Sequence, residues 1–312
     1  MNKAGLVKTL SLKKTSSRPC ATRDGVSPSC VGLPAGDWLT FTDFLVQRFT
    51  AITRQTWLER MADGLVVDEF GGLVTAERPY RGHMRLYYYR ALGIEPRIPF
   101  DAAVLYQDKH LVVADKPHFL PVTPSGRFLQ ETLLVRLKNQ LQLEHLVPIH
   151  RIDRETAGLV LFCVKPDERD AYQALFRRRE VRKSYEAIAP WRADLAFPLL
   201  RRTRIAPDEP FFRQREIPGE ANSETAIDVL DVKSDLARYA LSPVTGKKHQ
   251  LRVHMNALGI PICNDRIYPP VEVTLDDDYD QPLQLLAKSI AFADPLTGQA
   301  RRFESRLSLS AG

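Results

Sequence analysis

The stretch from His150 to Phe162 reads His-Arg-Ile-Asp-Arg-Glu-Thr-Ala-Gly-Leu-Val-Leu-Phe. Its first half is densely charged, and its second half is an apolar run that predicts a buried strand. Asp153 lies between Arg151 and Arg154, and nearby positive charge favours the ionised form of a carboxylate. An ionised carboxylate suits a nucleophile better than a proton donor. On these residues alone, a cluster of ion pairs that only stabilises the start of the strand is an equally good interpretation.

The composition is that of an ordinary globular chain with a basic excess. The 312 residues allow one large or two modest domains, and 44% of them are hydrophobic and 26% charged. The net charge of +6 favours a polyanionic partner. Residues 1–36 carry six basic side chains against the single acid Asp24, a net charge of +5. We expect a disordered basic tail at residues 1–36, with an organellar targeting peptide as the alternative.

The cysteines and the apolar runs limit the compartment in which the protein works. The four cysteines are too few and too scattered for a disulfide framework, and their spacing does not match a zinc site. No apolar run has the length of a membrane span, and Lys8 interrupts the short apolar part of the N-terminus. We therefore expect a cytoplasmic protein that binds no metal and no membrane.

The segment that follows the basic tail changes character at Thr40. The sequence TFTDFLVQRFTAITRQTWLERMADGLVV predicts two short amphipathic helices and a strand, with Gly64 ending the second helix. This pattern resembles a degenerate S4-like RNA-binding module, which we assign to residues 37–95. Its candidate RNA contacts are Arg48, Arg54 and Arg60. A helical cap that only packs on the next domain is the alternative interpretation.

Several later segments carry short motifs whose individual signals are weak. They are Asp115-Lys116-Pro117, Lys183-Ser184-Tyr185, Gly246 to His254 (GKKHQLRVH), Pro261 to Tyr268 (PICNDRIY) and Leu285-Leu286-Ala287. A turn lysine is usually solvated, and a tyrosine in a strand usually belongs to the core. Residues 199–223 are rich in Arg, Pro and Glu and predict an irregular insertion. Residues 225–232 and 237–244 predict paired strands.

Taken together, these motifs resemble those of a known family. HRIDRETAGLVLF, from His150, resembles the signature of the RluA-type RNA pseudouridine synthases, and the Lys-x-Tyr and GKKHQLRVH segments resemble its second and third motifs. The resemblance covers roughly residues 100–305. It implies an α+β fold: a mixed, largely antiparallel sheet with flanking helices and a central catalytic cleft, in a catalytic domain at residues 96–312. Asn264 and Leu286 depart from the family pattern, which has Gly and His there.

The resemblance also implies a reaction and a set of roles. The family isomerises uridine to pseudouridine in structured RNA, here rRNA or tRNA, after the nucleotide is flipped out of its stack. Asp153 would act on the ribose, either attacking C1′ or removing the C2′ proton, and Arg252 would pair with it. Tyr185 would lie against the base and could assist removal of the C5 proton, which makes it a catalytic residue with Asp153 and Arg252. Leu285 would form the floor of the pocket, and Arg151 would fill the space that the flipped base leaves.

Other residues of the motifs are expected to contact RNA or to support the cleft. They are Lys116, His150, Arg154, His249 and Gln250. The reaction requires no cofactor, and we expect a monomer. Two alternatives remain open: a non-catalytic RNA-binding or ribosome-assembly factor on the same fold, and a glycosidase. A glycosidase normally needs two carboxylates, and Glu155 is the obvious second one.

Overall fold

The structure, a computed structural model, describes residues 22–90, 95–269 and 278–310. The chain divides into two compact units, Met1–Gly93 and Ile94–Gly312. Within the described residues, no helix is long and apolar enough to cross a membrane.

The first unit packs two short helices with a three-stranded antiparallel sheet. Its elements are β1 (Ser29–Gly32), α1 (Phe41–Arg48), α2 (Arg54–Ala62), β2 (Val66–Asp68) and β3 (Arg85–Tyr88), with strand order β1-β3-β2. The helix α1 begins at a capping box formed by Thr40 and Asp43. The helix α2 begins where the Thr53 side chain accepts the Thr56 N–H. Apolar side chains of both helices, including Leu45 and Trp57, are buried in one core with the sheet.

Residues 22–36, the described part of the expected disordered tail, contain a strand. Residues 29–32 form β1, which pairs antiparallel with β3, and Val31 and Leu33 are buried in the core of the first unit. Two buried apolar residues in a stretch rich in serine, glycine and proline give too short a pattern for a strand to be recognised. Residues 1–21 lie outside the described residues.

One of the three candidate RNA contacts of the first unit is also corrected. Arg60 is only 8% exposed, and its guanidinium lies over the Trp57 ring, 5.0 Å from the centroid. The amphipathic spacing of α2 places it on the inner face, so it cannot reach RNA. Arg48 and Arg54 are exposed.

The second unit is built on an 11-stranded mixed sheet. Its elements are β4 (Ala103–Gln107), β5 (Leu111–Lys116), α3 (Leu133–Leu141), β6 (Val147–Pro148), β7 (Ala157–Cys163), α4 (Arg169–Arg177), β8 (Arg182–Pro190), β9 (Leu199–Pro207), β10 (Gln214–Ile217), β11 (Ser223–Lys233), β12 (Leu236–Pro243), α5 (Gln250–Ala257), β13 (Leu285–Ala293) and β14 (Ala300–Glu304). The main strand order is β10-β9-β11-β12-β8-β13-β7-β5-β4, with β14 on β13 and β6 on β7. Among the described strand pairs, only β13 with β7 is parallel. The predicted α+β class with a largely antiparallel sheet is confirmed.

The parallel pairing of β7 with β13 depends on a glycine. Gly158 has φ +108°, and a Cβ at this position would lie 2.3 Å from the carbonyl oxygen of Ala287. A side chain is therefore excluded where the two backbones approach, as glycine in a strand often indicates. The pairing brings Leu285, at the start of β13, close to the loop that carries Asp153.

Two predictions about the middle of the second unit have different outcomes. The strands expected at 225–232 and 237–244 are confirmed, since β11 and β12 pair antiparallel along their length. The irregular insertion expected at 199–223 is wrong, because β9 and β10 form an antiparallel hairpin there. Charged side chains stand on both of its faces, for example Arg201 paired with Glu216, and hide the alternation that predicts a strand.

Candidate active site

Asp153 lies in a short loop that leads from β6 into β7. The Thr156 N–H donates to the Asp153 carbonyl at 3.2 Å, and His150 Nε2 accepts the Leu161 N–H at 3.1 Å. The first bond closes a turn within the loop, and the second ties its start to β7, which is wholly buried. The Asp153 side chain remains 28% exposed, so its carboxylate faces a cleft.

Arg252 brings a positive charge to this carboxylate from the first turn of α5. Its Nη1 lies 3.4 Å from Asp153 Oδ2, and its Nε and Nη2 donate to the two oxygens of Asp265 at 2.8 and 2.6 Å. Burial opposes the charge, but the hydrogen bonds and charges of Asp265, with the charge of Asp153, raise the pKa of Arg252 above its ordinary value. The guanidinium is therefore fixed in place and always charged.

Asp265 is the functional residue that the sequence analysis missed. Its side chain is fully buried, and Oδ1 also accepts the N–H groups of Ile267 and Tyr268 at 2.8 and 3.0 Å. It holds Arg252 by two bonds, whereas Asp153 receives only the remaining nitrogen. The signal was present, because Asp265 falls in the PICNDRIY segment that resembles the family pattern.

Tyr185 and Leu285 face the same small cavity as Asp153 and Arg252. The cavity has a volume of about 110 Å³ and lies between β8, β13 and the start of α5. Burial, and secondarily the charge of Asp153, raise the pKa of Tyr185 well above its usual value near 10. Its phenol therefore stays protonated near neutral pH and is a poor general base.

A larger cleft of about 1100 Å³ shares Asp153 and Tyr185 with this cavity. Its basic lining residues are Arg151, Arg154, Arg177, Arg179, Lys183, Arg204, Lys247 and Lys248. Against these stand two lining acids, Asp153 and Glu220. A cleft with this excess of positive charge suits the phosphates of a nucleic acid.

Lys116 does not lie where the sequence analysis expected it. The predicted turn lysine is the last residue of β5, and it is fully buried because Lys116 pairs with Gly158 of β7. Its Nζ donates to the carbonyls of Pro117 and Arg154, both at 2.9 Å, and burial lowers its pKa to about 7. A contact of Lys116 with RNA is not compatible with this burial, and Lys116 instead supports the loop of Asp153 through the Arg154 carbonyl.

The predicted residues next to Asp153 are divided between the rim and the interior. Arg151 is exposed at the cleft, whereas Arg154 pairs with Glu155 at 2.6 Å. His150 stacks on Phe176 with ring centroids 5.0 Å apart, and burial, with a smaller contribution from the charge of Lys183, lowers its pKa to about 4. A neutral, packed histidine supports the loop.

The two predicted residues at the start of α5 are both held by several contacts. Gln250 accepts the Lys247 N–H at 3.0 Å and donates to the Glu224 carbonyl at 3.0 Å, which fixes the loop before α5. His249 Nε2 lies 4.0 Å from Asp153 Oδ2, and Nδ1 lies 3.0 Å from the Tyr268 hydroxyl oxygen.

A cleft rich in cations, with a carboxylate held beside a buried arginine, is typical of an enzyme that acts on a nucleic acid. Comparison with known proteins narrows this class. Residues 110–257 match the protein-family model described as RNA pseudouridylate synthase. An uncharacterized RNA pseudouridine synthase of Synechocystis is 30% identical over 248 residues, which are 75% of this chain and 81% of that protein. The dual-specificity RNA pseudouridine synthase RluA of Haemophilus influenzae is 30% identical over 65% of this chain and 92% of its own.

Two solved structures of RNA pseudouridylate synthase proteins are similar to this chain. Human RNA pseudouridylate synthase domain containing 4 superposes with a TM-score of 0.52 at 26% identity, over 67% of this chain and 88% of that one. Human RNA pseudouridylate synthase domain containing 1 superposes with a TM-score of 0.55 at 20% identity, over 68% of this chain and 86% of that one. At this identity the similarity supports the fold alone. The chain belongs to the RNA pseudouridine synthase family, of the RluA type, and isomerises uridine in RNA.

Proposed function

We propose that Asp153 is the carboxylate that acts on the ribose of a uridine flipped into the cleft. The observation that carries this proposal is the position of Asp153 Oδ2, which faces the cleft 3.4 Å from Arg252 Nη1. Tyr185 and Leu285 line the cavity next to that oxygen. The fixed guanidinium orients the carboxylate.

The isomerisation breaks the N1–C1′ bond and forms a C5–C1′ bond, with no net oxidation. The C5 proton is lost and N1 gains a proton. Asp153 either attacks C1′ or takes the C2′ proton, and both routes need a carboxylate that Arg252 holds in place. Because Tyr185 keeps its proton near neutral pH, its role is to pack against the base, and the C5 proton leaves by another acceptor.

Base flipping explains the two-part shape of the cleft. A stacked uridine cannot reach Asp153, so the nucleotide must leave its stack at a cost of a few kcal/mol. Arg151 is exposed at the rim of both the small cavity and the cleft, where its side chain can occupy the vacated space. The surrounding cations offset the cost of flipping by binding the flanking phosphates.

We assign the substrate to structured rRNA or tRNA, and a contribution to its binding to residues 37–95. RluA, a relative of this chain, is named a dual-specificity enzyme. In the first unit, Arg48 lines an open groove with His83 and Arg85, and Arg54 is exposed on α2. Two helices on a small sheet that present such residues are compatible with the S4-like module. We further propose a cytoplasmic monomer, in line with the free thiols of the three described cysteines.

The glycosidase alternative, in the form that pairs Asp153 with Glu155, lacks support in the geometry of the cleft. The Arg154 guanidinium donates to Glu155 Oε1 at 2.6 and 2.9 Å, and Glu155 does not line the cleft that holds Asp153. Two carboxylates that flank one bond, as that chemistry requires, are not formed by this pair.

Mapping pseudouridine in total RNA tests the substrate and the role of Asp153 together. We expect at least one rRNA or tRNA position to lose pseudouridine when the protein is removed from its cells. Wild-type protein should restore it, as should Asp101→Asn, whose side chain is 85% exposed at the surface. Asp153→Asn should not. Restoration by Asp153→Asn, or changes confined to other RNA classes, would contradict the proposal.

A further inference from the structure

A series of polar contacts leads from β10 to Asp153 Oδ2, the oxygen that Arg252 also faces. The Gln214 N–H, at the start of β10, donates to the buried hydroxyl oxygen of Tyr268 at 2.7 Å. The same oxygen lies 3.0 Å from His249 Nδ1, and His249 Nε2 lies 4.0 Å from Asp153 Oδ2. These groups form one line of contacts, whose last step, from the imidazole to the carboxylate, is longer than a hydrogen bond.

The direction of donation along this line follows from the chemistry of its first member. A backbone N–H can only donate, so the Tyr268 oxygen accepts from Gln214. The hydroxyl proton of Tyr268 then has His249 Nδ1 as its acceptor among the described residues. In a neutral imidazole one nitrogen accepts while the other carries the proton. When Tyr268 donates to Nδ1 in this way, the proton of His249 lies on Nε2, the nitrogen that faces Asp153.

We propose that Tyr268 is a positioning residue that fixes the tautomer of His249, so that an imidazole N–H faces the same carboxylate oxygen of Asp153 that Arg252 faces. The inference rests on the proposed role of Asp153. The guanidinium and the imidazole N–H together restrict the rotation of the carboxylate. Asp265 organises both sides, because it binds Arg252 and also accepts the Tyr268 N–H.

The charges around His249 are compatible with a neutral ring. Burial lowers the pKa of His249, and the positive charges of Arg252 and Lys248 act in the same direction. The charges of Asp153 and Asp265 oppose this effect but do not cancel it. The ring therefore stays uncharged near neutral pH, as donation from Tyr268 requires.

The backbone also directs His249 toward this line. It is the residue before α5 and has φ +55°, a left-handed conformation that is uncommon for a residue with a side chain. The Tyr268 ring is held in turn by Arg252 and Arg213, whose guanidinium carbons lie 5.5 and 5.6 Å from its centroid.

The test combines nitrogen NMR of the histidine ring with turnover of Tyr268→Phe. His249→Asn identifies the signals of His249 by their loss. In the wild-type protein at pH 7, we expect His249 to be neutral with its proton on Nε2. In Tyr268→Phe, we expect the His249 ring to be a mixture of the two neutral tautomers. We expect kcat of Tyr268→Phe to fall about tenfold with KM unchanged, as for the loss of one positioning hydrogen bond. The matched control is Tyr239→Phe, whose buried hydroxyl donates to the Pro190 carbonyl at 2.9 Å and which lines neither the cleft nor the small cavity; it should keep kcat.

Two results would overturn the inference: a wild-type His249 that is an imidazolium or carries its proton on Nδ1, and a Tyr268→Phe enzyme with wild-type kcat. The NMR measurement does not depend on turnover, so it separates this inference from the proposed function. If Asp153→Asn isomerises uridine normally, the proposed function fails, whatever the tautomer of His249.

Discussion

Asp265 accepts two hydrogen bonds from Arg252, at 2.6 and 2.8 Å, and both side chains are almost completely excluded from solvent. This pair, rather than the contact with Asp153, fixes the position of the guanidinium. Buried ion pairs contribute little net stability, but the loss of one partner leaves a buried charge without compensation. The pair therefore serves to place a permanent cation beside a partly exposed carboxylate.

The first prediction concerns Asp265→Asn. The substitution leaves Arg252 buried without its main counter-charge, so the free energy of unfolding should fall by roughly 3–5 kcal/mol. Turnover of the folded fraction should also fall by at least tenfold, because the guanidinium is no longer held in place. Urea unfolding and tritium release from RNA labelled at uridine C5 measure the two effects.

The control for Asp265→Asn is Asp101→Asn, which removes an exposed carboxylate on the surface. It should change the free energy of unfolding by less than about 0.5 kcal/mol. An Asp265→Asn protein that is as stable and as active as this control would show that Arg252 is positioned by other contacts.

The second prediction concerns the buried ammonium of Lys116. Its pKa is about 7 in the folded protein, whereas the unfolded chain has the ordinary value of 10.5. Between these values the unfolded state binds more protons, so the contribution of Lys116 to stability becomes more favourable as the pH rises. The difference in free energy of unfolding, wild type minus Lys116→Met, should therefore increase from pH 7 to pH 10. Urea titrations at several pH values measure it, and a difference that stays constant or decreases would rule out the lowered pKa.

The third prediction tests the close approach of β7 and β13. In Gly158→Ala the new Cβ would meet the Ala287 carbonyl oxygen at 2.3 Å in a backbone conformation with φ +108°. We expect the free energy of unfolding to fall by at least about 3 kcal/mol, with loss of activity because Leu285 is displaced. Gly126→Ala is the matched control, since Gly126 has φ +55° and open space around its Cβ position. It should cost only about 1 kcal/mol. Equal costs for the two variants would mean that β7 and β13 separate easily.

The fourth prediction concerns the basic rim of the cleft. Arg179→Ala and Lys248→Ala remove exposed cations that line it. Each should weaken RNA binding and reduce the slope of log K against log salt by about 1. Filter binding at several salt concentrations measures both quantities. Lys109→Ala, which removes an exposed lysine that does not line the cleft, should leave the slope unchanged. If all three variants had the same slope, the RNA would bind outside this cleft.

The sequence predicted the elements whose signals are local. The apolar run after Gly158 is strand β7, and the segment from Gly246 carries the helix α5 with Arg252. The resemblance also identified Asp153, Tyr185 and Leu285, which the structure brings to one cavity.

The features that the sequence did not predict depend on contacts between distant residues. Lys116 is buried only because β5 pairs with β7, and nothing within its own turn predicts that. The β9–β10 hairpin is hidden because cross-strand ion pairs such as Arg201 with Glu216 replace an apolar pattern. The role of Asp265 appears only when α5 and the loop of Tyr268 come together.

Single-turnover tritium release by Asp153→Asn tests the central claim most directly. The enzyme is held in excess over RNA labelled at uridine C5, so that weak binding cannot limit the signal. We predict that Asp153→Asn releases no tritium above background while it still binds the RNA, and that Asp101→Asn releases it at the wild-type rate. Tritium release by Asp153→Asn at the wild-type rate would contradict the assignment of this carboxylate to the ribose.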